Sequence, residues 1–402
     1  MSRQSQLRLA GEMSVKTEKP ILLLLPLPPP YAGPESMANS IVRSMADMGL
    51  QDYRIVNSTL RRENKSKGRL NLQGVLSFIP VLLRYLGKLT GSKVVFMYIC
   101  SSRIGFLRDS LYILLARLFG KKVLVQYHGG NFRSFYRHRS SLYRAFVRSV
   151  LRRTESVLVL GKPLVRMFDE IVPEASVQVL CNGVDPGEFA LRDRRADRQF
   201  TVCYLGHLTF PKGFYDLVLA YRKLHELHGD DISMLFAGER VGYKKALSQF
   251  LDEQWSDYYL SNIDEIVGTM LEFTENCGEY DAEYLGVIDR HEKAELFDRA
   301  CVFVIPSYSE GLSISCIEAM ASGLPVISTP VGAMSEIVIE REGGLLTEVG
   351  NPDDLASKIE SLFNSRELCQ KMGAFNRRFV EEHLDVRSIA GDLHRRLLSS
   401  IL

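Results

Sequence analysis

The stretch Ala300–Ile337, ACVFVIPSYSEGLSISCIEAMASGLPVISTPVGAMSEI, narrows the folds open to this chain more than any other. Its apolar run Cys301–Ile305 has the continuity of a strand buried on both faces, which requires helices on each side of a parallel sheet. A polar, glycine-containing turn, Pro306–Leu312, comes next, followed by a short helix from about Ser313 to Ser322. Gly323-Leu324-Pro325 stops that helix before a second strand begins at Val326-Ile327. Such a strand–turn–helix unit aims backbone N–H groups and a helix dipole above the strand's C-terminal end, where anions bind. Glu310 in the turn and Glu318 on the helix bracket that place, and Ser315, Glu318 and Ser322 share one helix face. Carboxylates that accept from vicinal hydroxyls, beside a helix N-terminus that holds phosphate, together suit a nucleotide-sugar.

The same rhythm occurs twice along the chain. Ile21–Leu25 is a first strand, Pro26–Ser36 a Pro/Gly-rich loop and Ala38–Met48 a helix, without a G-x-G-x-x-G dinucleotide signature. Residues 61–69 are basic and polar, an expected exposed loop. Val94–Ile99 and Lys122–Tyr127 are strands, the second delivering His128-Gly129-Gly130 at its end, with a helix Leu107–Phe119 between them. Val157–Leu160, a helix near Leu164–Glu170 and Val177–Leu180 complete this half, and the charged residues 190–199 form a linker. The second half restarts with a strand Phe200–Leu205, the loop GHLTFPKGF, a helix Tyr215–Leu227 and a strand Ile232–Ala237. Residues 240–283 are an acidic, aromatic insertion; a strand Leu285–Ile288 and a helix Lys293–Arg299 then lead into the focal unit. A short strand at Gly343–Leu346 and helices Pro352–Phe363 and Arg366–Leu384 close the second half. Alternating strands and helices with a break near 185–200 imply two doubly wound α/β domains. The expected boundaries are a loose leader at 1–19, an N-terminal domain at 20–189, a C-terminal domain at 190–385, and a helix at 386–402 able to pack back on the first domain.

At 402 residues, each domain has enough chain for a core of its own. The seven cysteines show no paired spacing and suit reduced core thiols in a cytoplasmic protein, with neither a disulfide frame nor a zinc site. Ile21–Leu25 is too short for a signal sequence or a membrane span. The net charge of +2 conceals an asymmetry. Residues 1–185 hold 28 Lys and Arg against 12 Asp and Glu, a net of +16, while the remainder holds 22 against 36, a net of −14. The N-terminal half therefore suits an anionic partner.

Several motifs agree in order with glycosyltransferase family 4, which the chain resembles over roughly residues 20–385. The E-x7-E of that family is Glu310 to Glu318, continued by EAMASGLPVI, and its G-R-x4-K-G is Gly206-His207-Leu208-Thr209-Phe210-Pro211-Lys212-Gly213. N-G-V-D is Asn182–Asp185, H-G is His128-Gly129, the first-loop G-G is only Ala32-Gly33, and G-G-x-x-E is Gly332–Glu336. The resemblance implies the GT-B architecture, two Rossmann-like domains with a deep interdomain cleft. It further implies a retaining transfer of a sugar from a nucleotide-diphosphate donor to an acceptor hydroxyl.

Roles follow residue by residue. A solvated helix position is the ordinary fate of a glutamate such as Glu318; the resemblance instead has it accept from donor ribose hydroxyls and has Glu310 contact the transferred sugar. Gly311, Leu312 and Ser315 would meet the diphosphate at the helix start. Lys212, otherwise an ordinary surface lysine, suits a point charge on the leaving phosphate, together with Gly206 at the start of its loop. No D-x-D pair is present to hold a divalent metal, and the family is metal-independent, so no cofactor is expected beyond the nucleotide-sugar. His207 departs from the usual arginine and lacks its bidentate fork. His128, a satisfied core histidine by default, would face the donor sugar near the reacting carbon. Gly33, Pro34 and Glu35 would let acceptor and diphosphate approach the backbone, although a plain proline-rich turn explains that loop nearly as well.

Residues 110–154 contain ten Lys and Arg and no acid, with Arg144, Arg148 and Arg152 at helical spacing. This is either a solvated helix packed on the sheet or a surface for an anionic membrane or a phosphorylated lipid. Nucleic acid is not expected, since no stacking module accompanies the charge. The expected setting is polysaccharide or glycolipid assembly at the inner face of the membrane, with a lipid-linked or saccharide acceptor. A GT-B phosphorylase, a sugar-nucleotide epimerase and a non-catalytic sugar-nucleotide-binding subunit are the alternatives.

Overall fold

The computed structural model describes residues 20–30, 32–59, 72–192, 199–240 and 245–401. The leader at 1–19, the basic stretch at 61–69 and most of the linker expected at 190–199 lie outside these residues. Two six-stranded sheets form, every strand pair parallel. The first holds β1 (Ile21–Leu25), β2 (Tyr53–Asn57), β3 (Val94–Ile99), β4 (Lys122–Tyr127), β5 (Ser156–Val159) and β6 (Val177–Val179), in the order β2-β1-β3-β4-β5-β6. The second holds β7 (Phe200–Leu205), β8 (Ile232–Ala237), β9 (Ala282–Tyr284), β10 (Val302–Ile305), β11 (Val326–Ser328) and β12 (Gly344–Leu346), in the order β12-β11-β10-β7-β8-β9. The strand order reverses between β1 and β3 in one sheet and between β7 and β10 in the other. Ligands of doubly wound sheets bind outside the strand ends at such reversals. Those ends carry the Gly33 turn, the Lys212 loop and the Glu310 turn.

The central strands are largely apolar because helices cover both faces; β1, β3, β8 and β10 are buried at every residue. The last helix, Val386–Ser399, lies against the first, Gly33–Asp47, burying Ile389, Leu393 and Leu397 with Met37, Ile41 and Met45. Its approach is fixed by the chain just before it. Val184 N–H donates to the Leu384 carbonyl (3.0 Å), and Val386 N–H donates to the Val184 carbonyl (2.9 Å). A Cβ at Gly183 would overlap the Leu384 carbonyl and the Ile389 side chain, so the N-G-V-D turn needs its glycine for this crossing.

Three sequence expectations require correction. The first helix begins at Gly33, not Ala38, so Gly33, Pro34 and Glu35 form its first turn and not an open loop. Proline suits that place because the first-turn N–H groups have no intrahelical partner. The strand expected at Leu285–Ile288 lies at Ala282–Tyr284 instead. Gly286 takes a left-handed φ of +73°, which ends the extended run, and Val287 is 75% exposed. The segment expected near Leu164–Glu170 is a 3-10 turn, Lys162–Phe168.

The insertion has a structural task. It forms helices Glu253–Ser261 and Ile263–Glu275, and its Tyr259 stacks on Phe210 at 5.2 Å between ring centroids. Tyr308 stacks on the other side of that network at 4.5 Å from Phe210, with the Trp255 edge against it at 5.0 Å. Phe210 and Tyr308 belong to the Lys212 loop and the Glu310 turn, so this aromatic pile braces both from outside. Beneath it lies Asp216, 4% exposed, whose carboxyl burial pushes up to about 7 while a hydrogen bond from Tyr308 acts in the opposite sense. The folded chain therefore resists ionising it. Its contribution to stability is full below the ordinary value of 3.8 and is lost as pH rises through about 7. Asp216→Asn is expected to melt above the parent at pH 8 and close to it at pH 3.5; equal melting differences at both pH values would contradict this.

Candidate active site

The two glutamates singled out by sequence each hold a lysine. Glu310 Oε1 accepts from Lys212 Nζ at 2.6 Å and from the Ser307 hydroxyl at 3.0 Å, and its side chain is 10% exposed. Glu318 accepts from Lys293 Nζ with both oxygens, at 2.9 and 3.1 Å. Lys293 was missed by the sequence reading. It comes from the preceding helix, Arg290–Arg299, where nothing in its local pattern marks it as a partner of Glu318.

Between the two carboxylates lies the N-terminus of the helix Ile314–Ala321. Ser313 caps it by accepting from the Cys316 N–H, and the Ser315 hydroxyl lies 3.0 Å from that of Ser313. Ser315 is thus in the first turn, as its proposed role requires, while the Leu312 side chain is core and its carbonyl accepts from Asn182 Nδ2 at 2.9 Å. Only the Leu312 backbone can contribute to binding.

The Lys212 loop is held from beneath by Tyr204, whose hydroxyl donates to the His207 carbonyl at 2.8 Å. Burial first, and the Glu310 charge second, push that phenol well above its usual range, so it stays a donor. Gly213 is left-handed (φ +72°) and packs where a Cβ would overlap the Pro306 carbonyl, which brings the loop to the end of β10. Gly206 donates its N–H to the Ala237 carbonyl at 3.0 Å, and its own carbonyl lies against Gly238. His207 sits at the rim, with Nδ1 3.9 Å from Glu239.

The N-terminal domain reaches this turn directly. A Cβ at Gly130 would overlap the Glu310 carbonyl, and one at Gly311 would lie 3.0 Å from the His128 carbonyl. Lys162 N–H donates to Glu336 at 3.0 Å, which gives the last acid of G-G-x-x-E a bond between domains. Gly332 (φ +58°) packs on the Glu310 and Gly311 carbonyls from the opposite side. Gly33 lies across from the helix start, where a Cβ would sit 3.8 Å from Ile314 Cδ1.

On the N-terminal side, four shielded polar atoms are short of hydrogen-bond partners among the described residues: the Tyr98 hydroxyl and Glu35 Oε2 have none, and His128 Nε2 and Asn182 Oδ1 have at most one another's side chains. They are neighbours. The Tyr98 and His128 rings lie 4.0 Å apart, and the Glu35 charge adds to the burial that raises the Tyr98 phenol. Burial pushes His128 down to about 3, with a side-chain hydrogen bond to Asn182 second and in the opposite sense, so the imidazole is neutral. Buried polar atoms ordinarily find partners, and a group of them left short suits a polar ligand. Tyr98 escaped the sequence reading because it sits in an apolar strand and looks like core.

Among the described residues no cluster of His, Cys, Asp and Glu could hold a metal ion. The Asp289 carboxylate caps the helix Arg290–Arg299, accepting from the His291 and Glu292 N–H groups.

Comparison with known proteins agrees with this architecture. Residues 273–379 match the family model for glycosyl transferases group 1. An uncharacterised glycosyltransferase of Methanocaldococcus jannaschii is 27% identical over 204 residues, 48% of this chain and 46% of that one. The capsular polysaccharide biosynthesis glycosyltransferase CapM of Staphylococcus aureus is 26% identical over 222 residues, 53% of this chain and 51% of that one. The chain spans about half the length of these curated relatives. Sucrose-phosphate synthase from Thermosynechococcus elongatus has the same fold with a TM-score of 0.71, at 21% identity over 95% of this chain and 100% of that one. Anabaena HepE, solved in complex with UDP and glucose, follows with a TM-score of 0.67, at 14% identity over 94% of this chain and 99% of that one. The architecture is GT-B.

Proposed function

We propose that this protein is a retaining glycosyltransferase that moves a sugar from a nucleotide-diphosphate sugar to the hydroxyl of a lipid-linked or saccharide acceptor, at the inner face of the cytoplasmic membrane. The observation that carries the reading is the pair Lys212–Glu310 at the N-terminus of the helix Ile314–Ala321, opposite neutral His128. The diphosphate lies over that helix start, Glu318 takes the ribose hydroxyls, and Glu310 takes hydroxyls of the transferred sugar. His128 and Asn182 face the sugar from the other domain, and the acceptor enters past Gly33, Pro34 and Glu35.

In the reaction the bond between the anomeric carbon and the phosphate oxygen breaks, leaving negative charge on the departing diphosphate. Lys212 and the helix dipole neutralise it. The departing oxygen takes the proton of the acceptor hydroxyl on the same face as that hydroxyl bonds to the carbon, so configuration is retained. Lys212 carries the charge that other transferases assign to a metal held by D-x-D.

A panel of nucleotide-sugars in EDTA-containing buffer tests the reading, with nucleoside diphosphate release and transfer to acceptor as readouts. Transfer with retained configuration is expected. Sugar phosphate formation, epimerised donor, donor binding without turnover, or a strict need for divalent metal would each overturn it. Within that assay, Glu318→Ala is expected to raise the donor KM by about 10–100-fold with little change in kcat, the worth of hydrogen bonds to a charged acceptor. An unchanged KM would remove Glu318 from the donor site.

A further inference from the structure

The helix Arg103–Leu118 carries an apolar stripe on the outside of the protein. Ile104, Leu107, Leu111, Leu114 and Leu118 follow one another at steps of three and four, and each is at least 37% exposed, Leu118 80%. Its inner face is separately filled by Phe106, Tyr112, Ile113 and Ala116. The helix is therefore apolar on two sides, and only one side has protein against it. No helix among the described residues is long and apolar enough to cross a membrane.

The neighbours extend the patch. The helix Leu72–Leu89 lies alongside, with its Tyr85 ring 4.9 Å from Tyr112, and it shows Ile79 and Leu83 to solvent. On the other flank the helix Ser141–Leu151 is tied in by a hydrogen bond from the Tyr143 hydroxyl to the Arg103 carbonyl at 3.0 Å, and its Leu142 is 83% exposed. Patches of this extent on a soluble surface mark an interaction site.

Charge selects the occupant. Arg103 and Arg117 are exposed at either end of the stripe, and residues 110–154 contribute ten Lys and Arg with no acid. The one acid of the helix, Asp109, is 1% exposed and turned inward, accepting from the Cys100 N–H and pairing with Arg108 at 2.7 Å. Beside Leu142 a hollow of about 400 Å³ is lined by Arg144 and Arg148 along with Tyr136, Ser141 and Glu170. An apolar stripe rimmed by cations, with no exposed acid on its own helix and Glu170 in the hollow outnumbered by arginines, fits the interface of an anionic bilayer, where leucines enter the acyl boundary and arginines meet headgroups. A second copy of the chain would set the same arginines against one another.

We propose that the face built on the stripe Ile104–Leu118, with Leu142 and Leu83 at its flanks, docks the protein on an anionic lipid bilayer. It refines the expectation from the arginine spacing alone: Arg152 is spent on the Ile171 carbonyl at 3.2 Å, and the apolar contact comes from the neighbouring helix. It rests on the transferase reading only for what the bilayer presents, a lipid-linked acceptor.

Flotation of the full chain with vesicles of phosphatidylcholine alone, or with about one-third phosphatidylglycerol, tests the docking. Strong recruitment by the anionic vesicles, weakened by salt, is expected. Leu107→Ser combined with Leu118→Ser should lower that recruitment by on the order of 10-fold or more, from the apolar groups withdrawn. Donor hydrolysis in the absence of vesicles should be unchanged. Because these positions are exposed, a folding defect would show as a fall in Tm, and Arg117→Glu then repeats the test through charge alone. Equal recruitment by neutral and anionic vesicles, undiminished binding of both variants, or a parent dimer that the leucine variant dissociates would overturn the proposal. A failed donor assay with intact flotation would defeat the transferase reading instead.

Discussion

Lys212→Ala is expected to lower kcat by about 10²–10³-fold, the cost of removing one pre-aimed charge from a developing oxyanion. The ammonium is 2.6 Å from Glu310 and belongs to a loop braced by the Phe210 stack, so it is already in place before any donor arrives. That prior placement makes the loss fall on kcat: the charge it stabilises grows mainly as the glycosyl–phosphate bond breaks. Glu310 retains the Ser307 hydroxyl in the variant, so the turn is not left without support. Donor affinity by titration and diphosphate release at saturating donor separate binding from chemistry. A variant with parental kcat would show that another group carries the leaving charge and would remove Lys212 from the mechanism.

The second large effect is expected from a single methyl group. Gly130→Ala places a Cβ where the Glu310 carbonyl now lies, and a backbone cannot move aside as a flexible side chain can. The domains must separate locally or the turn must shift, taking Glu310 away from His128. Misplacement by about 1 Å is enough to cost on the order of 100-fold in turnover. The expected outcome is that loss together with a lowered Tm. Gly87→Ala is the control, since a Cβ there meets nothing and the helix gains from it. If Gly130→Ala retains parental turnover, the contact between the domains is not what sets the geometry of the site.

Much of the Lys212–Glu310 arrangement was legible because its pieces are local. Glu310 and Lys212 lie on turns that directly follow buried strands, Ser315 and Glu318 lie on the helix after the Glu310 turn, and the strands announce themselves through unbroken apolar runs. What escaped depended on distance or on two signals in conflict. Lys293 meets Glu318 across 25 residues of chain, a pairing no periodicity encodes. The proline-rich string before Gly33 is non-helical as its composition argued, but Pro34 after it sits in the helix's first turn, where proline is at home. Val287 and Ile288 resembled strand because they are apolar, whereas β9 carries Glu283 and needs no apolar run. The helix Arg103–Leu118 was recognised, but a helix apolar on both sides does not declare which side the protein fills.

The backbone passes between the domains in two places, after Val184 and before Val386, and these passages hydrogen-bond to each other. Together they form a single joint. Because the last helix is a structural part of the domain it returns to, loosening the final residues would unseat that joint and the first domain's core at once.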